Sequence, residues 1–330
     1  MNRESGVAES DASKGAPDRI AVIVINWNGW QHTLDCVNSL RKMQREWHLF
    51  LVDNASSDDS IKHLSDLGEK VTLIQSPVNG GWTGGNNLGI QRALDLGYDH
   101  FFILNNDAEV LEDTLDVLEK AFLDRQDEMP ILGPVHTVPD GSSYSFVGQY
   151  IDDLTGMPRK MTCEGVTRQD LDSVYETAYI QGAGLFVHRR HFVEIGFFDD
   201  AFYLDYDEAD WSFRARRAGF RSYMVRDAVI RHIGSASIGG EVSPLNVYFL
   251  TRNGLLFSER HGNLRQRYRV WCAYYRRARR LVRGKGRRRW LWLPRFFKSR
   301  DNAVVAFRRG LMDYALRRFG DCSLEIRLLK

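Results

Sequence analysis

The sequence predicts an α/β fold: a mostly parallel, doubly wound central sheet flanked by helices, followed by a basic helical extension at the C-terminus. Three observations carry this. Ile20-Ala-Val-Ile-Val-Ile25 is an unbroken, largely β-branched run, the pattern of a strand buried on both faces, as in a parallel sheet. Apolar runs alternate with helical patterns four times between residues 20 and 107, the signature of βαβ units. Polar residues follow the strand ends, at Asn28, Asp53, Asn79 and Asp107, and in open α/β sheets ligands bind at the carboxyl edge of the strands.

Taken in order, the first run turns at Asn26-Trp27-Asn28-Gly29-Trp30, and a helix is expected over about 33–43, with Leu34, Val37, Leu40 and Met43 on one face. His48 to Asp53 forms the second strand, and the polar turn after it can cap a helix starting near Ser60. Val71 to Ile74 is a shorter third strand. A glycine- and asparagine-rich loop follows from Asn79 to Gly89, then a helix over about 87–96, then a fourth strand from His100 to Asn105. A further helix is expected between Asp113 and about Arg125. Residues 131–194 read as short strands and turns, with Gly182-Ala183-Gly184 entering a strand. From Asp207 to Gly219 the spacing is helical, with acids at the front and arginines at the back, the order that suits the helix dipole. Beyond Arg260 the chain reads as basic helices, the last near 303–319.

The chain has 330 residues and a net charge of +2, which hides an asymmetry. From Arg260 to Lys330 there are 22 Lys or Arg against 4 Asp or Glu, a local balance of +18 that leaves the remainder at −16. Such a basic tail on an acidic body points to an anionic partner for the tail. Cys36, Cys163, Cys272 and Cys322 form no CxxC pair, which argues against a disulfide framework or a zinc site and for a reducing compartment. The apolar runs are too short to span a bilayer. Residues 1–19 are polar, lack the apolar core of a secretory signal, and are expected to be a disordered leader.

Five clusters are candidates for chemistry. Asn105-Asn106-Asp107 sits at a strand end, where one carboxylate beside amides suits a hard divalent ion that also takes ligands from a diphosphate; an Asp capping the next helix is the structural alternative. Asn79-x-Gly81-x-x-Gly84-Gly85-Asn86-Asn87-x-Gly89 would let backbone approach a ligand closely, or is simply a surface loop. It is not a dinucleotide fingerprint, because that motif follows the first strand and has strict GxGxxG spacing. Asp205-Tyr206-Asp207-Glu208-Ala209-Asp210 holds four acids in six residues, suited to general-base work or to an acidic helix start. His232, before Gly234-Ser235-Ala236-Ser237, is a loop imidazole able to bind Mn²⁺ or a structural residue. Asp53 can accept hydrogen bonds from a base or ribose; as a turn cap it would be redundant with Asn54, Ser56 and Asp58.

Together these clusters resemble the family 2 glycosyltransferases of the GT-A fold, over about residues 20–261. The resemblance rests on an ordered series: Val24-Ile-Asn-Trp-Asn-Gly29, Val52-Asp-Asn-Ala-Ser-Ser-Asp58, Asn79-Gly-Gly-Trp-Thr-Gly-Gly-Asn-Asn-Leu-Gly89, Leu104-Asn-Asn-Asp107, Gln181-Gly-Ala-Gly184, Phe197-Phe-Asp199, Asp207-Glu-Ala-Asp210 and His232-x-x-Ser235-Ala-Ser237. It implies a Rossmann-like GT-A catalytic domain over 20–258, with a nucleotide-sugar-binding half (20–107) and an acceptor half (108–258), then the basic extension over 259–330. It further implies donor-binding roles for Trp27, Asn28, Asp53, Asn79, Gly81, Asn86, Asn105 and Asn106. Asp107 and His232 would bind Mg²⁺ or Mn²⁺, Gly182, Ala183 and Asp210 would line the acceptor site, and Asp207-Glu208 would carry the catalytic base, by motif position Glu208. Two positions depart from the commonest pattern: Asn105 replaces the first Asp of the DxD-like element, and the acidic pair is Asp-Glu rather than Glu-Asp.

The nearest subgroup in character is the bacterial rhamnosyltransferases of cell-surface polysaccharide assembly, implying a dTDP-rhamnose donor and a glycan or lipid-linked glycan acceptor. The implied reaction is a displacement with inversion; a glycosidase would instead need two opposed carboxylates. A sugar-nucleotide-binding module without catalysis is the alternative class. In the tail, arginines interleaved with Trp271, Tyr274, Tyr275 and the stretch Trp290–Phe297 suit an anionic membrane surface better than nucleic acid, which implies a cytoplasmic protein peripheral at the inner face of the plasma membrane; a solvated helical pair packed on the catalytic body is the structural alternative. The sequence leaves the oligomeric state open.

Overall fold

The computed structural model describes residues 20–233, 243–282 and 292–329. The leader, Ser235-Ala236-Ser237 and Arg287–Trp290 lie outside the described residues. The first half of the chain forms β1 (Ile20–Asn26), α1 (Trp30–Leu40), β2 (Trp47–Asp53), α2 (Ser60–Leu64), β3 (Val71–Gln75), α3 (Gly81–Asp95) and β4 (His100–Asn105). β1 to β4 lie in the order β3-β2-β1-β4, all parallel. Alternate residues of β1 serve opposite cores. Val22 and Val24 pack with Val37 and Leu40 of α1, while Ala21 and Ile23 pack with Ile90 and Ala93 of α3. Burial on both faces explains the unbroken apolar run, and each such side chain contributes about 1.5–3 kcal/mol.

Next come β5 (Ala108–Val110), α4 (Thr114–Leu123), β6 (Ile131–Thr137), β7 (Tyr144–Phe146), β8 (Gln149–Ile151), β9 (Pro158–Lys160), β10 (Val174–Thr177), β11 (Gly184–His188), α5 (Arg189–Ile195), α6 (Asp207–Arg217) and β12 (Ser222–His232). They extend the sheet to β10-β12-β6-β11-β4-β1-β2-β3, with β5 on β12 and β7 on β6. β11 enters antiparallel between β4 and β6, and β6 and β12 run parallel. The sheet is therefore mixed at one end, and the Gln181–Ala183 turn ahead of β11 meets the carboxyl end of β4.

The structure corrects three expectations. α3 starts at Gly81, so the glycine-rich segment is helix, not loop. Glycine costs a helix roughly 1 kcal/mol against alanine, but here it permits close helix-to-sheet contact: a Cβ on Gly85 would lie 2.9 Å from Ile25 Cδ1, and one on Gly89 2.7 Å from Ile23 Cγ2. α1 starts at Trp30 rather than near Thr33. β12, an eleven-residue strand, was not expected at all, and His232 ends it instead of lying in a loop. Its pattern is broken by a register shift between Val225 and Val229, where Arg226 and Asp227 form an ion pair.

The C-terminal quarter comprises α7 (Pro244–His261), α8 (Leu264–Leu281), α9 (Trp292–Lys298), α10 (Asn302–Ala315) and α11 (Leu324–Arg327). α7 runs continuously through position 258. α10 packs on it where a Cβ at Gly310 would lie 2.9 Å from the Tyr248 carbonyl, and Tyr248 donates to Asp313 Oδ2 at 2.9 Å. Tyr248, Phe249, Phe296, Phe307 and Ile326 share one core, so the extension is docked on the body. No helix among the described residues is long and apolar enough to cross a membrane.

Candidate active site

A cleft opens at the carboxyl edge of β1 and β4. Its lining includes Trp27, Asn79, Gly81, Asn86, Asn105, Asn106, Asp107, Gly182, Ala183, Asp207, Glu208 and His232. Six segments separated by up to about 200 residues in the sequence thus meet in one place, as the carboxyl-edge rule requires.

The acidic side is built by the turn into α6. Tyr203, Asp205 and Tyr206 adopt left-handed φ of 66°, 63° and 69°, a conformation that costs non-glycine residues about 1–3 kcal/mol each. Asn253 of α7 holds this turn: its Nδ2 donates to the carbonyls of Phe202, Leu204 and Asp205 at 2.7, 2.6 and 3.0 Å. Asp207 is buried, and both oxygens are engaged, Oδ2 by the Thr83 hydroxyl at 2.9 Å and Oδ1 by the Glu208 amide at 3.1 Å. Glu208 is held more loosely, accepting from the Gly182 amide at 3.5 Å. Burial, then the neighbouring Asp207 carboxylate, raises its pKa well above the usual range. Burial and Asp207 likewise raise Asp205 to about 7, and Asp205 Oδ2 is buried with no hydrogen-bond partner.

Asp107 and His232 meet on another wall, Oδ1 to Nε2 3.1 Å, both side chains largely buried. β5 antiparallel to β12 pairs Ala108 with His232 and so creates this proximity. One carboxylate and one imidazole facing a shared cleft fit a divalent cation that completes its shell with diphosphate oxygens and water. No group of three or more His, Cys, Asp or Glu among the described residues is placed to hold a metal ion by itself, so an ion held by Asp107 and His232 would take its remaining ligands from the diphosphate and water.

The amides organise the cleft. Trp82 Nε1 donates to Asn105 Oδ1 at 3.0 Å, and a Cβ on Gly182 would lie 2.2 Å from Trp82 Cζ2, so only glycine fits there. Gly81 has φ +70°, with space for a Cβ denied by the Tyr203 carbonyl at 2.3 Å. Asn86 donates to the Trp82 carbonyl, while its buried Oδ1 has no partner. Asn106, Thr33, Asn26 and Asp53 form a hydrogen-bonded chain behind the lining, at 3.0, 2.7 and 2.9 Å. It ties together the ends of β4, β1 and β2.

Three expected site residues do not line the cleft. Asp53 is buried between Asn26 Nδ2 and the Ser56 amide, which donates to Oδ2 at 3.0 Å; it does cap the turn, because Asn54 turns away to bond Asn79 and Gly81. Asn28 is exposed and accepts from the Ser57 amide at 2.7 Å, stapling the turns after β1 and β2. Asp210, on the far face of α6, is bound by Arg214 at 2.9 Å, Arg260 at 3.3 Å and His261 at 2.8 Å. Burial pushes its pKa up, but the bonds from His261 and Arg214 outweigh this and hold it low. The sequence reading missed Tyr203, Phe249 and Arg327, which also line the cleft. Arg327 carried no signal, being one basic residue among the 22 in the last 71.

The chain matches the family model described as Glycosyl transferase family 2 over residues 21–186. It is 24% identical over 213 residues to the low-salt glycan biosynthesis hexosyltransferase Agl10 of Haloferax volcanii, covering 61% of this chain and 62% of that protein. To the dTDP-rhamnosyl transferase RfbF of Shigella flexneri it is 22% identical over 244 residues, covering 72% of this chain and 79% of the relative. Among solved structures, the mannosyltransferase PcManGT from Pyrobaculum calidifontis, in complex with GDP-Man and Mn²⁺, superposes with a TM-score of 0.53 at 16% identity, over 94% of this chain and 77% of that one. The architecture is the GT-A fold, with a helical C-terminal extension.

Proposed function

The chain belongs to glycosyl transferase family 2, and we propose that it moves a sugar, with inversion, from a nucleotide-sugar donor to a hydroxyl of a glycan or lipid-linked glycan in cell-surface polysaccharide synthesis. The observation that carries this is the opposition, within one cleft, of the Asp207-Glu208 pair and the Asp107–His232 pair. Glu208 is the base: its carboxylate is the less restrained of the two, and burial beside Asp207 raises its proton affinity, which strengthens it as a base. It takes the proton of the acceptor hydroxyl as that oxygen bonds to the anomeric carbon and the nucleoside diphosphate departs with the electrons of the broken bond. Asp207, bound by Thr83, orients Glu208 and keeps its proton affinity high. Asp107 and His232 would hold Mg²⁺ or Mn²⁺, which when bound neutralises charge on the leaving diphosphate.

Trp27, Asn79, Gly81, Asn86, Asn105 and Asn106 form the donor half within residues 20–107, and Gly182-Ala183 the floor toward the acceptor in 108–258. Asn28 and Asp53 support the donor site from behind, and Asp210 supports the base-bearing helix. The similarity to RfbF supports dTDP-rhamnose as the donor. Thermal stabilisation by dTDP, UDP and GDP, each with and without Mn²⁺, tests the reading. One nucleotide should stabilise the wild type in a metal-dependent way that Asp107→Ala abolishes, since a ligand bound only to the native state must raise its stability. Stabilisation by none of the three would count against the donor reading, and stabilisation without turnover would favour the alternative of a sugar-nucleotide-binding module that has lost catalysis.

The extension adds a membrane-facing element to this proposal. On α8, Leu264, Tyr268, Trp271 and Tyr275 are exposed at helical spacing, flanked by exposed Arg265, Arg269, Arg276 and Arg280. Aromatics beside arginines suit an anionic lipid interface, consistent with a cytoplasmic protein peripheral to the inner leaflet and a lipid-linked acceptor. Replacing Tyr268, Trp271 and Tyr275 with Ser should reduce sedimentation with anionic liposomes at low salt; equal sedimentation would remove the membrane element.

A further inference from the structure

Asp107, Asp205, Asp207 and Glu208 all line the cleft, yet the ligand proposed for it carries a diphosphate. Among the described lining residues one side chain is Lys or Arg: Arg327, from α11 at the far end of the extension. Its neighbour Ile326 is fully buried in the core shared with α7, so the position is anchored rather than trailing. Arg327 Nη2 donates to Tyr203 Oη and to Asp321 Oδ1, both at 2.5 Å. Its guanidinium carbon lies 5.7 Å from the Trp27 ring centroid and 5.6 Å from that of Tyr203. Tyr203 in turn donates to Asn79 Oδ1 at 3.0 Å, and Asn79 accepts from the Gly81 amide at 2.8 Å. Nε and Nη1 make no hydrogen bond among the described residues.

We propose that Arg327 binds the diphosphate of the donor, so that the C-terminal extension completes the donor site. This rests on the donor reading above. Two partners hold Nη2 and the guanidinium carbon stands over Trp27, which leaves Nε–H and the Nη1–H groups to donate to phosphate oxygens. With Nη2 held, Nε and Nη1 each offer a single charge-assisted bond to a phosphate oxygen from a fixed plane, which the flexible ammonium of lysine does not reproduce. A guanidinium clamped before the ligand arrives loses little entropy on binding. It also explains how a body of charge −16 can accept an anionic donor: the compensating charge comes from the basic segment, delivered at a single point.

The test is isothermal titration of the full-length protein with UDP, dTDP and GDP in Mn²⁺, and with the matching nucleosides. For the diphosphate the wild type prefers, Arg327→Ala should weaken binding about 10- to 100-fold, the range expected for a lost charge-assisted pair, and leave the nucleoside affinity unchanged. Arg327→Lys, which keeps the charge and most of the bulk, should fall between. Asp321→Asn, which removes the holding ion pair but not the guanidinium, should stay within about twofold of wild type. Diphosphate affinity equal to wild type in both Arg327 variants overturns the proposal while leaving the donor reading intact. Equal loss for diphosphate and nucleoside, shared by Asp321→Asn, also overturns it, because a purely structural role predicts that pattern. No binding of any nucleotide by the wild type overturns the donor reading and this proposal with it.

Discussion

The Thr83 hydroxyl donates to Asp207 Oδ2 at 2.9 Å, joining the glycine-rich helix α3 to the base-bearing helix α6 across 124 residues of sequence. The bond gives the two acids unequal freedom. Asp207 is held by Thr83 and by the Glu208 amide, while Glu208 accepts from the Gly182 amide only at 3.5 Å. Glu208→Gln should therefore lower kcat by about 10²- to 10⁴-fold with donor affinity unchanged, measured by steady-state kinetics and titration. Thr83→Val should cost about 1–3 kcal/mol of stability, because it leaves a buried carboxylate oxygen without its donor; a thermal denaturation indistinguishable from wild type would show that the bond contributes nothing.

The same geometry sets the pH dependence of turnover. The base must be ionised, and burial together with Asp207 raises the Glu208 pKa. Activity should fall as pH drops through that raised value, so the acid limb lies above the usual carboxylate range. Asp207→Asn removes a charge that disfavours ionisation and should move the limb to lower pH. A limb that does not move would assign it to another group.

Asp205 supplies a stability signature. Its pKa is raised from 3.8 to about 7 by burial and by Asp207. Between those values the folded chain keeps a proton that the unfolded chain has released, so stability declines as pH rises from about 4 to about 7 and levels off above. Below about 4 both states are protonated and the contribution is fully present. Asp205→Asn should flatten this decline, seen as a smaller difference in Tm between about pH 4.5 and about pH 8.

On the far face of α6, Asp210 carries three cationic or imidazole partners. Asp210→Ala should destabilise the fold by about 3–5 kcal/mol, the cost of stranding buried charges. With its folded pKa held low, its contribution is present at neutral pH and is lost as pH falls through that depressed value. Donor affinity at a temperature where the variant is folded should be unchanged, in contrast to a residue that touches ligand.

Gly182→Ala would place a methyl 2.2 Å from Trp82 Cζ2. Overpacking of this kind costs about 1–3 kcal/mol, and it should displace the indole that donates to Asn105. Reduced donor affinity with altered tryptophan fluorescence is the expected result.

The sequence alone determined the parallel half of the sheet, because β1, β2 and β4 are buried on both faces and that burial leaves a continuous apolar signal. It also marked Asp107, Asp207 and Glu208 as candidates, because polar residues at strand ends and helix starts stand out against apolar neighbours. The helical state of Gly81–Asn86 was not legible: propensity opposes it, and close packing of the helix on Ile23 and Ile25, a tertiary effect, overrides propensity. β12 escaped for a related reason, since a register shift at Arg226-Asp227 breaks the alternation that marks a strand. Only the tertiary structure separated the acids into Asp207 held by Thr83, Glu208 facing the cleft and Asp210 turned away, since adjacent positions on a helix point in different directions. It alone brought Arg327 to Trp27, some 300 residues apart in the chain, because a contact made by folding back of the extension leaves no periodicity in the sequence by which to recognise it.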